Sequence, residues 1–381
     1  MGLSGALARL AVRATRVLVV EVPGHWATRM EVEHQLLRRG WRPAWTPADA
    51  DVLAVCGVPG PELSELVDRL WEQMPGPRVR ADITSPGTVG SALDAAAALL
   101  LDTPHHRTDA QERAQEPEIP EDADHGGHGG MGHGGMDHGE MDHGGHGGMD
   151  HSGHGGMDLA PGGIALAGGG EDRDGLEMDV LHLPLGPVLP FWPAGLVLHC
   201  SLQGDVVVDA EASVVDGAGA GGPGPGPAPA AVVVWCDQVV ALLALAGAED
   251  AASGARRARD ALLHGDRGAA RAAAERLHRT IRRSRLLRWS LRGVLPLDPS
   301  ALEHHGLPRH CLGDAHDRLL SRVERIRAEA GGAVPVPVED GAVPWAVLPE
   351  LVTGLELASV RLAVASLGLD PHPAVQEVGH G

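Results

Sequence analysis

A glycine-rich tract of histidine and methionine, residues 125–158, most constrains how this chain can fold. It holds eight histidines, five methionines and a near-exact eight-residue repeat, MDHGGHGG at 141–148 and MDHSGHGG at 149–156. A segment with so few large apolar side chains cannot bury enough surface to offset the entropy lost on ordering. We therefore expect the tract to be disordered without a ligand, and the core to come from its flanks.

The tract is also the strongest chemical signal in the sequence. Imidazole suits Cu(II), Ni(II) and Zn(II), thioether sulfur suits Cu(I), and histidines three apart on a flexible backbone can share one ion. The predicted metal ligands are His125, His128, Met131, His133, Met136, His138, Met141, His143, His146, Met149, His151, His154 and Met157. The mixed donors favour copper, then nickel or zinc. A spacer that was lengthened by replication slippage and binds metal incidentally is the alternative.

The segment before residue 105 alternates strand-like and helix-like patterns. Three buried strands are predicted, at 16–22, 51–56 and 79–83. Three amphipathic helices are predicted, at 25–39, 62–74 and 91–101. Strands that alternate with helices are typical of a parallel sheet covered by helices. Residues 1–104 are therefore predicted to form an α/β domain.

Residues 175–381 are predicted to form an α+β, mainly helical domain, separated from the first by a disordered acidic and His/Met/Gly-rich linker at 105–174. Strands are expected at 176–183 and within 195–215. A Gly/Pro loop follows at 217–230. Helical patterns then cover 231–292, as two long helices broken near 264–268, and the segments 313–330 and 348–367.

Composition excludes several function classes. The net charge of −20 disfavours nucleic acid as a partner, because nucleic acid binds basic surfaces. The four cysteines lie far apart with no CxxC pair, which gives no support to a thiolate zinc site or a disulfide framework. The longest apolar stretch, 231–248, contains Asp237 and Gln238 near its middle, so we interpret it as a buried helix rather than a membrane span. We expect a cytoplasmic protein.

Residues 48–79, ADADVLAVCGVPGPELSELVDRLWEQMPGPRV, resemble the middle of the small, B-type subunit of proton-pumping NADH:quinone oxidoreductase, respiratory complex I. Residues 30–47 fit the same subunit's approach to that strand. This B-type subunit is similar to the small subunit of nickel–iron hydrogenases. The resemblance implies a flavodoxin-like parallel sheet for the N-terminal domain.

Three later segments resemble the large, D-type subunit of the same complex. They are LHLPLGPVLPFWPAGLVLHCSLQGDVVVDAE at 181–211, RWSLRG at 288–293 and GDAHDRLLSRVERIR at 313–327, with a weaker match at 354–370. The two subunit types touch each other in the family's complex, so their occurrence in one chain implies a fused relative of both.

The departures from the family pattern decide the expected function. The B-type subunit holds a four-iron cluster through cysteines, yet the corresponding stretches 24–34 and 80–92 contain none, and Cys56 matches no ligand position. The D-type turn carries histidines near the quinone, whereas this chain has Val188, Leu189, Phe191 and Trp192 there. The family's quinone-site tyrosine and the hydrogenase nickel-binding cysteine pairs are also missing from the sequence. We therefore expect no iron–sulfur cluster, and the resemblance implies ancestry and a docking shape rather than electron transfer.

The leading hypothesis is a non-catalytic accessory or assembly subunit, a degenerate relative of the fused B-type and D-type subunits. Its expected partners are subunits of a membrane-associated redox complex, which would hold it at the inner face of the cell membrane, together with divalent or cuprous metal ions. We do not expect an enzyme acting on its own. One alternative is an active subunit of an oxidoreductase related to NADH:quinone oxidoreductase or hydrogenase. Another is a copper or nickel storage or delivery protein.

Three further motifs have competing interpretations. The turn at 184–195 either lines a ligand pocket or, as we favour, packs on the neighbouring domain. The arginine-rich region 256–292 is interpreted as an amphipathic helix with a solvated face, with anionic lipid, nucleic acid or an acidic partner as alternatives. The cluster His304, His305, His310 and Cys311, with His316 beyond, is too irregular for a zinc site. Asp314 and His316 are instead predicted to cap and start the following helix.

Overall fold

The computed structural model describes residues 12–115, 168–171, 177–216, 231–332 and 341–369. It contains an N-terminal α/β unit with a parallel sheet and a mostly helical C-terminal region with an antiparallel sheet, which confirms the predicted fold class at that level. The His/Met/Gly tract at 125–158 and the Gly/Pro loop at 217–230 lie outside the described residues. In the part of the chain that the structure describes, no helix is long and apolar enough to cross a membrane.

The N-terminal sheet has four parallel strands in the order β2-β1-β3-β4. The strands are β1 (Arg16–Glu21), β2 (Arg42–Pro43), β3 (Val52–Cys56) and β4 (Val79–Ile83). All residues of β3 are buried, as expected for a central strand covered on both faces. The helices are α1 (Trp26–Arg39), α2 (Pro61–Gln73), α3 (Val89–Leu100) and α4 (Thr103–Gln115). Helix α1 ends where Gly40 adopts φ 74°, a left-handed conformation that favours glycine.

Helix α4 corrects the predicted start of the linker at residue 105. Its Asp109 accepts hydrogen bonds from the guanidinium of Arg78, the shortest at 3.0 Å, and Arg78 also stacks over the ring of Trp71. These contacts attach α4 to the α/β domain, so the boundary prediction was wrong for 105–115. The polar composition of this segment hid the helix, because it has no apolar stripe that would indicate a buried face.

The C-terminal sheet is antiparallel in the order β5-β6-β7-β8. Its strands are β5 (Gly168–Glu171), β6 (Glu177–Leu185), β7 (Leu196–Gln203) and β8 (Val206–Val214). Strand β5 lies within the range predicted as linker, 105–174, and pairs with β6, which is a second correction. Strands β7 and β8 form a hairpin whose turn contains Gly204 at φ 63°.

The C-terminal helices enclose the apolar helix α5. They are α5 (Ala231–Leu245), α6 (Glu249–Leu263), α7 (Arg267–Arg283), α8 (Arg285–Leu291), α9 (Pro299–His305), α10 (Ala315–Ala330), α11 (Leu348–Val352) and α12 (Leu357–Leu367). Helix α5 packs against α6, α10 and α12, and only Ala231 of its residues is exposed, which confirms that the apolar stretch is a core helix.

Two helix boundaries differ from the sequence predictions. Residues 231–292 form four helices rather than two, because the chain turns at Gly247, with φ 72°, and again at Ser284. Residues 348–367 form two helices that are separated at Gly354, with φ 86°. The prediction for Asp314 is confirmed: its carboxylate accepts from the amide of Asp317 at 3.0 Å and caps α10, with His316 in the first turn.

Candidate functional site

A cavity of about 300 Å³ lies between the two domains. Strand β1, helix α1 and the segment from Trp41 to Trp45 form one wall, and the turn at 187–194 with helix α5 forms the other. The aromatic side chains that line it are Trp26, Trp41, Trp45, Phe191 and Trp192. Apolar walls with a few charged groups are typical of sites for small amphipathic ligands.

The turn at 184–195 both packs on the α/β domain and lines this cavity. The ring of Phe191 lies 5.2 Å, between centroids, from the ring of Trp45. Val188 packs against the core of the α/β domain. The indole Nε1 of Trp192 donates to the carbonyl of Leu196 at 2.8 Å, which fixes the turn. The turn therefore packs on the neighbouring domain, as we favoured. The same residues also line the cavity, which was the alternative interpretation.

Charged side chains from both domains meet beside the cavity. Arg29 of α1 pairs with Glu21 at the end of β1 and donates through Nη1 to Glu33 at 2.7 Å. Its Nη2 reaches across to Asp237 of α5 at 2.5 Å. The short turn after β1, with Gly24 at φ 81°, places the start of α1 against the helical domain. Arg29 therefore joins two carboxylates of its own domain to one of the other.

Arg259 of α6 closes the network from the opposite side. Its guanidinium is fully buried and donates through Nη1 to Glu33 at 2.7 Å and to Asp237 at 2.7 Å. Its Nε donates to the neighbouring Asp260 at 3.0 Å. Glu33 and Asp237 are thus each shared by two arginines. We call the set Glu21, Arg29, Glu33, Asp237, Arg259 and Asp260 the joint network.

Burial and the two arginines act in opposite directions on the carboxylates of the joint network. Burial alone would raise the pKa of Asp237, but Arg29 and Arg259 outweigh it and lower that pKa to about 2. The pKa of Glu33 is lowered for the same reason. At Glu21 burial dominates and raises the pKa despite the contact with Arg29. The two shared carboxylates are therefore charged at neutral pH.

A histidine pair continues the contact between the domains. His34 of α1 lies 3.1 Å from Asp260, and His264, just after α6, lies 3.1 Å from Glu31 of α1. The two imidazole rings are 4.4 Å apart between centroids. Each histidine thus faces a carboxylate of the other domain, which adds two polar contacts to the joint network.

The expectation that this chain holds no iron–sulfur cluster concerns its four cysteines. Such a cluster needs several thiolates that converge on one point. Cys56 ends β3, Cys236 lies in α5, and all four cysteines are buried. Burial raises the pKa of Cys56 and of Cys236, which disfavours the thiolate. Among the described residues, neither group of close metal-binding side chains contains a cysteine.

All of the predicted metal ligands lie outside the described residues, because all of them fall in the tract at 125–158. The later histidines divide into two groups. His304 and His305 come together with Glu350, and His316 comes together with Asp314 and Asp317. The predicted cluster therefore separates, and His316 sits at the start of a helix as expected.

The arginine-rich region is only partly the simple amphipathic helix that its pattern indicates. Leu277 and Ile281 of α7 and Leu287 of α8 are buried, as predicted. Leu286 and Trp289 of α8, however, are 71% and 79% exposed. The break at Ser284 turns α8 so that these two side chains face solvent, which the single-helix interpretation did not anticipate.

Sequence reasoning missed the joint network. The one available signal was Asp237, a carboxylate in the middle of an apolar stretch. Its partner Arg29 lies 208 residues away, so no local pattern indicates the pair. No family model, no curated protein and no solved structure matches this chain.

Proposed function

We propose that this chain is an accessory or assembly subunit of a membrane-associated redox complex, descended from fused B-type and D-type subunits of complex I. The observation that carries the proposal is the joint network, in which Arg29 and Arg259 bind carboxylates from both domains. The parallel sheet with its covering helices is compatible with a flavodoxin-like ancestor of this kind.

Part of the joint network comes from a segment in which the family resemblance implies cysteine ligands. Residues 24–34 correspond to the stretch in which B-type subunits supply cysteines. In this chain the same stretch supplies Arg29 and Glu33, which are engaged with Asp237 and Arg259. The ion pairs of the joint network cross from one domain to the other, although Nη2 of Arg259 has no hydrogen-bond partner, and such pairs favour one relative position of the two surfaces. These residues therefore serve to hold the two domains together.

Affinity purification from native membranes tests the role as a subunit. We expect the tagged full-length chain to elute with subunits of a redox complex, and deletion of its gene to lower the abundance of that complex. Elution of the chain alone, with unchanged abundance of every membrane redox complex in the deletion strain, would contradict the proposal.

The metal-binding tract adds a separable role in metal handling to this proposal. Deletion of residues 125–158 should change growth under copper or nickel limitation or excess while leaving the abundance of the complex unchanged. If the deletion lowered the abundance of the complex to the level of the gene deletion, the tract would belong to the assembly role itself.

The inter-domain cavity favours a second candidate, an active subunit that binds a quinone-like ligand. Trp26, Trp45 and Phe191 supply apolar walls, and Arg29 and Asp237 supply polar groups at one end. Quinone-dependent electron flow in the co-purified complex, lost when Phe191 and Trp45 are both replaced by alanine, would favour this candidate over the first.

A further inference from the structure

A second cavity, of about 160 Å³, lies inside the C-terminal domain between α5, α10 and the end of α12. It shares only Gln238 and Gly368 with the inter-domain cavity. Arg318, Ser321 and Arg322 line it from one face of α10, because residues three and four apart lie on the same side of a helix. Trp235 of α5 forms part of the opposite wall.

Arg318 is 1% exposed, and its hydrogen-bond partners are all neutral. Its Nη1 donates to the carbonyls of Gly313 at 2.6 Å and of Leu295 and Cys311 at 3.1 Å. Its Nη2 donates to the hydroxyl of Ser366 at 2.8 Å. Carbonyl and hydroxyl dipoles orient this guanidinium, but they do not neutralise its charge.

Arg322, one turn further along α10, is 7% exposed and is only partly satisfied. Its Nη2 donates to the carbonyl of Ser366 at 3.0 Å, whereas its buried Nη1 has no hydrogen-bond partner. Gly368, at φ 71°, allows this close approach, since a β-carbon there would lie 2.9 Å from Nη2. Native proteins leave few buried donors unpaired, and each one asks for an explanation.

The two guanidinium groups form a positive centre, and the carboxylates of Asp314 and Asp317 act on Arg318 only from beyond ion-pair distance. Within the described part of the chain, neither Arg318 nor Arg322 forms an ion pair. The pKa of both is lowered to about 10, by burial at Arg318 and by burial together with the charge of Arg318 at Arg322. Burying a charge without a counter-charge is costly, and an anion in the adjacent cavity would offset that cost.

We propose that this cavity binds a small oxyanion, with the free Nη1 of Arg322 as a hydrogen-bond donor and Arg318 as a second positive charge. The hydroxyl of Ser321, which also lines the cavity, is available as a further donor. A guanidinium group matches the oxygen spacing of phosphate and carboxylate groups. The ligand is therefore either an inorganic oxyanion or the anionic group of a small metabolite.

Binding of inorganic phosphate to the purified full-length chain tests this proposal. We expect phosphate to raise the midpoint of thermal unfolding in a saturable way, beyond the effect of chloride at equal ionic strength. Isothermal titration should give one phosphate site. The R322Q variant should bind phosphate at least about tenfold more weakly, since a charge-assisted hydrogen bond is lost. The same titration with acetate distinguishes phosphate-like from carboxylate ligands, because binding of acetate as tight as that of phosphate identifies a carboxylate ligand.

Two further variants keep the test decisive. Arg361 is a half-buried arginine that donates to the carbonyl of Pro190 at 2.8 Å and lines neither cavity, so R361Q should bind phosphate as the unmodified chain does. S321W fills the cavity while retaining both arginines and should abolish binding even if R322Q fails to fold. No effect of phosphate beyond that of chloride, or normal binding by S321W and R322Q, would overturn the proposal.

This inference does not rest on the proposed role as a complex subunit. Phosphate binding depends on α10 and α12, whereas the subunit role depends on the joint network and on partner proteins. Failure of one experiment therefore leaves the other informative.

Discussion

Asp237 is the residue on which the contact between the domains most depends. Glu33 and Asp237 both accept hydrogen bonds from Arg29 and Arg259. Of these two carboxylates, Asp237 is the one that the helical domain contributes, from its apolar helix α5. Removal of one partner from a buried ion pair leaves the others uncompensated, and this penalty exceeds the net value of the pair.

Replacing Asp237 with asparagine should lower the free energy of unfolding. We expect a loss of about 2 kcal/mol, somewhat less than for a completely buried pair, because Asp237 retains partial exposure. Urea denaturation measures the change. The D94N variant is the control, since the exposed Asp94–Arg39 pair should contribute less than about 1 kcal/mol. Equal effects of the two variants would show that the joint network does not stabilise the fold.

The stabilisation from Asp237 should depend on pH in a defined direction. Its folded-state pKa of about 2 lies below the ordinary value of 3.8, so its contribution is complete above pH 4 and is lost as the pH falls toward 2. The difference in unfolding free energy between the unmodified chain and D237N should therefore shrink across that range. A difference that stays constant from pH 5 to about pH 2.5 would contradict the pairing.

The cysteines should be unreactive in the folded protein. All four are buried, and burial raises the pKa of Cys200 to about 11 and of Cys56 and Cys236 still further. A thiol-specific chromogenic reagent should label the thiols slowly in buffer and all four in denaturant. Rapid labelling of one thiol under native conditions would place that cysteine in an accessible site.

Whether a feature at the residue scale could be predicted depends on how far apart its residues lie in the sequence. The cap at Asp314 could be predicted, because a capping residue and its helix are adjacent in sequence. The pairs of Arg29 and Arg259 with Asp237 could not, because they depend on how two domains meet. Likewise, nothing in the spacing of Arg318 and Arg322 distinguishes buried side chains from solvated ones.

At the scale of elements, periodicity located most strands and helices. It failed at chain breaks within helical composition, as at Gly247 and Ser284, because single glycine and serine residues also occur inside helices. It failed again for α4, whose polar outer face resembles linker composition and whose attachment rests on the ion pair between Arg78 and Asp109. The failure at α4 concerns a tertiary contact, whereas the breaks at Gly247 and Ser284 are local turns whose residues do not by themselves indicate a break.

Helix α10 should lose stability when its cap is removed. In the D314A variant the amides of Asp317 and Gly293 lose their acceptor, so we expect unfolding free energy to fall by about 1–2 kcal/mol. Chemical denaturation monitored by circular dichroism measures the loss. The H316A variant removes the neighbouring imidazole but keeps the amide hydrogen bonds from Asp317 and Gly293 to the Asp314 carboxylate, and it serves as the control. Similar losses in both variants would assign the effect to the turn in general.

At the scale of the whole molecule, the sequence predicted two domains of the observed classes but not the way they are joined. Hydrophobic patterns report which faces are buried, and they do not report which buried faces meet each other. The joint network, the inter-domain cavity and the ring contact between Trp45 and Phe191 all arise where the two domains meet. These features could not be predicted from the sequence of either domain alone.

The tract at 125–158 should bind metal ions in a pH-dependent manner. Neutral imidazole is the ligand, so we expect copper and nickel to bind at about pH 7.5 and to be released below about pH 6. Equilibrium dialysis with metal analysis measures both states, and the chain lacking 125–158 provides the control. Retention of the same metal content by that deletion variant would place the binding site elsewhere.

Iron and sulfide analysis of the full-length chain, purified without oxygen, tests the central claim most directly. If the proposal is right that Arg29, Glu33, Asp237 and Arg259 hold the joint in place of a cluster, the chain will contain far less than stoichiometric iron and sulfide and show no four-iron EPR signal after reduction. Stoichiometric iron and sulfide, with such a signal, would contradict the account.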